Sequence, residues 1–172
     1  EINQVDSGNP EIFASSFFFF PVPLYKFTGH EQVITSVVVW GNYIVSASRD
    51  LTIRVWDMNS FECVHIIRGH EKAITSVSVY KDEIVSASED NTIRIWDINS
   101  GECRKIFPII DENDDYISCA IRNEDQIIFG SMDKTIKILD IESGQIVETL
   151  NGHDANISYL KMVGNKLISR SS

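Results

Sequence analysis

The 172-residue sequence is poor in cations and contains no long apolar run. Its 15 Lys and Arg residues stand against 25 Asp and Glu residues, so that the formal net charge is -10. Such a surface repels phosphate backbones and anionic lipid, which argues against nucleic acid and membrane surfaces as partners and favours a basic partner. No stretch approaches the roughly 20 apolar residues of a transmembrane helix.

Cysteine is also scarce, and the three thiols predict a protein of a reducing compartment. Cys63, Cys103 and Cys119 cannot all pair with one another, and no CxxC or other metal-ligand spacing is present. We therefore expect buried free thiols, no metal and no cofactor. The apolar stretch "FASSFFFFPVP" has no Lys or Arg before it, unlike a secretory signal. A cytoplasmic location is expected, with the nucleus as the alternative.

The chain is rich in internal repeats. "SASRDLTIRVWD" at residues 46–57 returns as "SASEDNTIRIWD" at residues 86–97, and His30 and His70 lie 40 residues apart. A fainter copy runs from Tyr116, and another begins at Gly152. A fixed period near 40 residues indicates a propeller or a solenoid array.

Within each copy the pattern is that of β-strands. "ITSVVVW", "YIVSAS", "LTIRVW" and "ECVHIIR" are short, rich in Val, Ile and aromatics, and separated by turn residues. Four short antiparallel strands cannot bury both faces of their sheet alone, but they can when such sheets stack around an axis. The prediction is an all-β propeller with about three four-stranded blades and a partial fourth.

The "GH" pairs, the "S-x-S-x-D" turns and the "WD" ends resemble those of WD-repeat β-propellers, most of all the F-box-type members. The resemblance covers residues 24–172, with blades starting near residues 30, 70, 113 and 153, and leaves residues 1–23 as a segment outside the repeats that we expect to be disordered. Since such propellers close with about seven blades, the remaining blades are expected from further chain. Association of chains is the alternative.

The resemblance implies a hydrogen-bonded tetrad of His, Ser, turn Asp and Trp in a blade. The predicted structural residues are His30, Ser46, Asp50 and Trp56; His70, Ser86, Asp90 and Trp96; then Asp133 and His153 in the weaker copies. Phe129 and Leu139 replace Ser and Trp in the third copy, which is therefore expected to rest on apolar packing and to be the least stable complete blade. A hydrolase triad is disfavoured because the set recurs and no nucleophile elbow is present.

The resemblance also implies a partner-binding face with three positions per blade. These positions are Val33, Thr35, Arg49, Ala73, Thr75, Glu89, Tyr116, Ser118, Met132, Asn156 and Ser158, and the acidic insertion Asp111, Glu112, Asp114 and Asp115 lies nearby. The insertion is either a site for a basic peptide or a solvated loop. Arg49 is the single Arg among these positions, which argues against a phosphate-binding pocket.

The function expected from these observations is a non-catalytic scaffold that binds other proteins. The alternative is a substrate receptor or sensor domain of a larger ubiquitin ligase or ATPase. An enzyme would require clustered acids or metal ligands at the central channel, and the sequence contains none there. Partner identity does not follow from the sequence.

Overall fold

The computed structural model describes residues 25–110 and 115–172, together with the backbone of residues 12–14, and all the regular structure in these residues is β. Sixteen strands follow one another along the chain: β1 Ile12–Ala14, β2 Tyr25–Phe27, β3 Ile34–Trp40, β4 Tyr43–Ser48, β5 Thr52–Asp57, β6 Cys63–Arg68, β7 Ile74–Tyr80, β8 Glu83–Ser88, β9 Thr92–Asp97, β10 Cys103–Pro108, β11 Ile117–Asn123, β12 Gln126–Ser131, β13 Ile136–Asp140, β14 Ile146–Leu150, β15 Ile157–Val163 and β16 Lys166–Ser171.

Twelve of these strands form three four-stranded antiparallel sheets in which each strand pairs with its neighbour in sequence. The sheets are β3 to β6, β7 to β10 and β11 to β14, called blades 1, 2 and 3 below. The pairs β1–β2 and β15–β16 form two-stranded sheets of their own. The prediction of an all-β propeller with three four-stranded blades and a partial fourth is confirmed.

The hairpin between the first two strands has the same backbone in every copy. Its first turn residue takes a positive φ, at Gly41 (54°), Lys81 (53°), Glu124 (53°) and Gly164 (59°). This conformation suits the twist of two-residue hairpins, and glycine adopts it without steric cost. The two non-glycine residues show that the repeat imposes the turn even where the local sequence does not favour it.

The hydrophobic core lies between the blades. Val45 and Ile53 of blade 1 pack in one cluster with Trp96 of blade 2, and Phe107 of blade 2 packs with Phe129 of blade 3. The second strand of a blade packs on both of its faces and is buried almost throughout: in blade 1, all five residues from Ile44 to Ser48 are buried. This explains why the strand reads as a continuous small and apolar run rather than as an alternating one.

Candidate functional site

The first tetrad joins the second and third strands of blade 1 to the segment that precedes its first strand. The Trp56 Nε1–H donates to Ser46 Oγ at 2.8 Å, and the Ser46 hydroxyl lies 2.8 Å from His30 Nε2. His30 Nδ1 lies 2.8 Å from Asp50 Oδ2. Since indole can only donate and a carboxylate can only accept, the hydroxyl donates to Nε2 and the ring Nδ1–H donates to the carboxylate.

The Asp50 carboxylate accepts hydrogen bonds from several groups of blade 1. Besides His30, it accepts hydrogen bonds from the Glu31 backbone N–H (3.0 Å) and from the Thr52 N–H (2.9 Å) and hydroxyl (2.6 Å). Burial by itself would raise the pKa of Asp50, but the hydrogen bonds from Thr52, Glu31 and His30 outweigh it and lower the pKa to about 2. The Asp50 side chain is therefore ionised in the folded protein at neutral pH.

The second tetrad repeats this geometry in blade 2. His70 Nδ1 lies 2.8 Å from Asp90 Oδ2, His70 Nε2 lies 2.7 Å from Ser86 Oγ, and the Trp96 indole donates to Ser86 at 2.8 Å. The pKa of Asp90 is likewise lowered: burial opposes the shift, and hydrogen bonds from His70, Thr92 and Glu71 outweigh it. The role of the threonine two residues after each turn Asp was missed by the sequence analysis, although "D-x-T" occurs in all three complete copies.

The His–Ser–Asp composition of the tetrads does not make a catalytic triad. Ser46 has no exposed surface, His30 is 3% exposed, and the serine hydroxyl is already bonded to the indole on one side and the imidazole on the other. A nucleophile must reach its substrate, and the buried Ser46 hydroxyl cannot do so. Burial of this kind suits a stabilising role.

The protonation state of His30 predicts how stability depends on pH. Burial lowers the pKa of the His30 ring from 6.5, and Asp50 offsets this only partly. The unfolded chain therefore binds more protons than the folded chain just below pH 6.5, so stability should fall as the pH is lowered from about 7 to 5. We expect His30→Gln to flatten this part of a plot of melting temperature against pH. Wild-type stability that rises over the same interval would contradict the assignment.

Blade 3 replaces the histidine by a lysine from its own third strand. The Asp133 carboxylate accepts from the Thr135 N–H (2.8 Å) and hydroxyl (2.7 Å), as in the other turns, and the Lys137 ammonium donates to its second oxygen. Phe129 and Leu139, which stand at the serine and tryptophan positions, are fully buried. Lys137 was missed, and the signal that could have found it is the cation four residues after the turn Asp in each copy.

In the partial fourth copy only half of a tetrad is assembled. His153 Nε2 lies 2.8 Å from Ser169 Oγ, at the same separation of 16 residues as His30 and Ser46. Ser169 was not singled out from the sequence, although this spacing marks it.

Most of the residues predicted for the partner-binding face line one cavity of about 370 Å³ at the end of the blades where the first strands begin. This cavity is called the face cavity. Nine of its lining residues belong to the predicted set: Thr35, Arg49, Thr75, Glu89, Tyr116, Ser118, Met132, Asn156 and Ser158. The face cavity adjoins a second cavity of about 340 Å³ between the first strands of the blades.

The remaining predicted face residues are not among those that line the face cavity. Val33 and Ala73 contribute backbone carbonyls instead, which accept from the Arg49 and Glu89 N–H groups at 3.0 Å and 2.9 Å. Asp115 is half-buried outside the cavity lining. Asp111, Glu112 and Asp114 lie outside the described residues.

Two hydroxyls of the face cavity are used to join neighbouring blades. The Thr35 hydroxyl donates to the Ile74 carbonyl of blade 2 at 2.6 Å, and the Thr75 hydroxyl donates to the Ile117 carbonyl of blade 3 at 2.8 Å. The Ser118 hydroxyl donates to the Gly130 carbonyl at 2.9 Å. The groups left to face a partner are the charges of Arg49 and Glu89 and the larger side chains of Tyr116, Met132 and Asn156.

No group of His, Cys, Asp and Glu side chains in the described part of the chain could hold a metal ion. The described residues also include no helix that is long and apolar enough to cross a membrane.

The stacked four-stranded sheets, the repeated tetrads and the face cavity define a β-propeller built from WD-type repeats. The family model for the WD domain, G-beta repeat (WD40), matches residues 21–57 and 61–97. The chain thus carries two WD40 repeats within residues 21–97.

Two yeast proteins share the repeat sequence over a short stretch. The chain is 43% identical over 44 residues to a CCR4-associated factor 4 homolog of Candida glabrata and 43% identical over 44 residues to a mitochondrial division protein 1 of Kluyveromyces lactis. Each match covers 26% of this chain but only 8% and 6% of the respective relative. The match therefore spans a small part of the length of these relatives, and the similarity is limited to the repeat sequence.

Two solved structures of designed proteins share the fold. The computationally designed Ika4 protein superimposes with a TM-score of 0.70 at 26% identity, over 83% of this chain and 88% of that chain. The computationally designed Ika8 protein superimposes with a TM-score of 0.68 at 23% identity, over 86% of this chain and 49% of that chain. The second likeness concerns the fold alone.

Proposed function

We propose that the chain is a non-catalytic protein-interaction scaffold whose partner binds over the face cavity. The observation that carries the proposal is that side chains from three blades and the partial fourth converge on this one opening. The copies differ there at the position before the turn Asp, which holds Arg49, Glu89 and Met132. Arg49 becomes Glu89 in the next copy, directly before the same turn Asp. The tetrads hold the strands in place, and the residue before each turn Asp is left to contact the partner.

The chemistry of the face cavity suits an extended segment of a partner protein that carries a basic side chain. Glu89 offers a carboxylate, Tyr116 and Met132 offer aromatic and polarisable surface, and the net charge of -10 draws basic segments toward the protein. Arg49 can pair with an acidic or carbonyl group elsewhere on the same segment. A cytoplasmic setting, with the nucleus as the alternative, belongs to this proposal.

The alternative role as a substrate receptor or sensor domain of a larger ubiquitin ligase or ATPase also uses this face. Of the described residues that line the face cavity, only Arg49 is a cation. Recognition of a phosphorylated segment relies on several arginines, because each forked guanidinium pairs with phosphate oxygens. If the chain serves as a receptor, it therefore binds unphosphorylated segments.

A random peptide library displayed on phage tests the proposal, with the immobilised 172-residue chain as bait. We expect enriched peptides to carry net positive charge and to bind more weakly as salt is added. Glu89→Arg should weaken the affinity of an enriched peptide about tenfold or more, as expected for a charge pair at a binding surface. Glu102→Arg makes the same change at an exposed turn at the opposite end of blade 2 and should leave the affinity unchanged.

Two results would overturn this function. One is a library that yields no specific peptide, and the other is a set of peptides whose affinity responds equally to Glu89→Arg and Glu102→Arg. A separate variant tests the acidic insertion. Neutralising Asp111, Glu112, Asp114 and Asp115 together should further weaken the affinity for a peptide whose binding is salt-sensitive. An unchanged affinity would mean that the insertion is a solvated loop.

A further inference from the structure

Met132 occupies a position of the face cavity that has the same backbone contact in all three complete blades. Its N–H donates to the Tyr116 carbonyl at 3.2 Å, as the N–H groups of Arg49 and Glu89 do to the carbonyls that precede their own first strands, at 3.0 Å and 2.9 Å. All three side chains line the face cavity. The place of Met132 at this opening is therefore set within blade 3, which is a complete four-stranded sheet.

The other two of the three methionines lie in apolar surroundings. Met58 packs against the hydrophobic cluster that contains Trp56, and Met162 packs against the cluster that contains Leu160. Neither of them lines the face cavity. All three methionines are partly buried, but Met132 is the one that a dissolved molecule reaches from the opening.

The side-chain amide of Asn156 contacts the Met132 sulfur. Its Nδ2 donates to Met132 Sδ at 3.5 Å. A thioether sulfur is only a weak acceptor, and this hydrogen bond uses one of its two lone pairs. A sulfoxide oxygen is a stronger acceptor, and the same amide is placed to donate to it. The contact with Asn156 thus favours the oxidised form of Met132 over the reduced form.

The thiols of the chain are poor competitors for an oxidant. Burial raises the pKa of Cys63, Cys103 and Cys119 above the ordinary value. Since the thiolate is the form that reacts with an oxidant, a raised pKa keeps these side chains in the less reactive thiol form at neutral pH.

We propose that Met132 is an oxidation-sensitive contact of the face cavity, through which a peroxide releases the bound partner. A lone pair of the sulfur attacks one oxygen of hydrogen peroxide, and the O–O bond breaks as the S=O bond forms. The second oxygen takes the proton of the first and leaves as water. Sulfur loses two electrons and the peroxide gains them.

This inference rests on the proposed function, and it adds a feature to the partner. Besides its basic side chain, the partner segment carries an apolar side chain that packs on Met132. A thioether offers such a side chain a flexible, polarisable surface. The sulfoxide is polar, so packing an apolar group against it removes the S=O group from water without a new hydrogen bond.

The first measurement uses the 172-residue chain without any peptide. The chain is treated with hydrogen peroxide, and mass spectrometry of its proteolytic fragments follows the oxygen gained by each methionine. We expect Met132 to be oxidised at least about threefold faster than Met58 and Met162, because it borders the opening. Equal rates for the three methionines, or slower oxidation of Met132, would overturn the proposal.

The second measurement compares the affinity for an enriched peptide before and after the same treatment. Oxidation should weaken the affinity of the wild-type chain about tenfold, as expected for the loss of a central interface contact. Treatment with methionine sulfoxide reductases should restore it, because these enzymes return the sulfoxide to the thioether. Met132→Leu has no sulfur at this position, so the affinity of this variant should not change on treatment. Met58→Leu is the matched control and should respond to peroxide as the wild-type chain does.

The outcomes separate this inference from the proposed function. If the wild-type chain binds the peptide equally well before and after oxidation of Met132, the inference is wrong and the interaction scaffold stands. A loss of affinity that persists in Met132→Leu also overturns it, because another oxidised group would then be responsible. A chain that binds no specific peptide overturns the proposed function, and that result is obtained before any peroxide is added.

Discussion

Asp90→Ala is expected to lower the free energy of unfolding by about 3 kcal/mol. The Asp90 carboxylate accepts hydrogen bonds from the His70 ring (2.8 Å), the Glu71 N–H (3.0 Å), and the Thr92 N–H (2.9 Å) and hydroxyl (2.7 Å). Removing it leaves several donors unpaired, and a buried donor without a partner loses its full solvation. Since these donors come from two separate segments, residues 70–71 and Thr92, the positions of both segments in blade 2 loosen together.

Thermal unfolding followed by circular dichroism measures this effect. For a chain of this size, a loss of about 3 kcal/mol corresponds to a decrease in melting temperature of about 6–12 °C. Asp82→Ala is the control, because Asp82 is exposed in the β7–β8 turn, and it should shift the melting temperature by less than about 2 °C. Equal shifts for the two variants would mean that the tetrad does not stabilise the blade.

Trp96→Ala is expected to cost about 4 kcal/mol, the larger of the two effects. Trp96 is 3% exposed and lies in the cluster between blades 1 and 2, with Val45 and Ile53 on the facing sheet. Truncation removes its apolar surface from that cluster and opens a cavity that the neighbouring strands cannot fill. It also deprives Ser86 Oγ of the indole donor at 2.8 Å.

The control for this variant is Trp40→Ala, the same change at a tryptophan that is 41% exposed at the end of β3. It should cost under about 1 kcal/mol. Trp96→Phe separates the two contributions, because it keeps most of the ring volume and removes the N–H. We expect a loss between those of the other two variants. If Trp40→Ala and Trp96→Ala unfold at the same temperature, Trp96 does not hold the blades together.

The sequence predicts the blades because their strongest local signals repeat. In the first two copies, His30 and His70 lie 40 residues apart just before the first strand, and Asp50 and Asp90 mark the turn between the second and third strands. The structure brings the four residues of each tetrad together because antiparallel strands of fixed length return the chain to the same neighbours. Because the local sequence pattern and the sheet topology agree here, the spacing of these residues is enough to predict the tetrads.

The hydrogen bonds between blades do not follow from the sequence. Thr35 and Thr75 were predicted as exposed partner-binding residues, yet their hydroxyls donate to backbone carbonyls of the next blade. Which carbonyl a threonine reaches depends on the stacking of two sheets, and a single repeat contains no information about that stacking. Lys137 is a related case: it lies on the third strand of its blade, whereas the histidine that it replaces precedes the first strand, so a search for the His motif overlooks it.

The face cavity could be predicted from the sequence in part. The resemblance to WD repeats placed nine of its lining residues, whereas no local feature of Arg49 or Glu89 distinguishes them from other surface charges. Their significance arises from convergence of separate blades on one opening. A cavity of this kind is a property of the assembled sheets.

The most direct test of the central claim, that a partner binds where the repeats differ, is amide hydrogen exchange of the chain with and without an enriched peptide. Binding over the face cavity should slow exchange at the segments that surround it: residues 31–35, 48–50, 71–75, 88–90, 116–118, 131–133 and 156–158. The hairpin turns at residues 41–42, 81–82 and 124–125, at the opposite end of the blades, should exchange as before. Slower exchange at those turns, with no change around Arg49 and Glu89, would contradict the account.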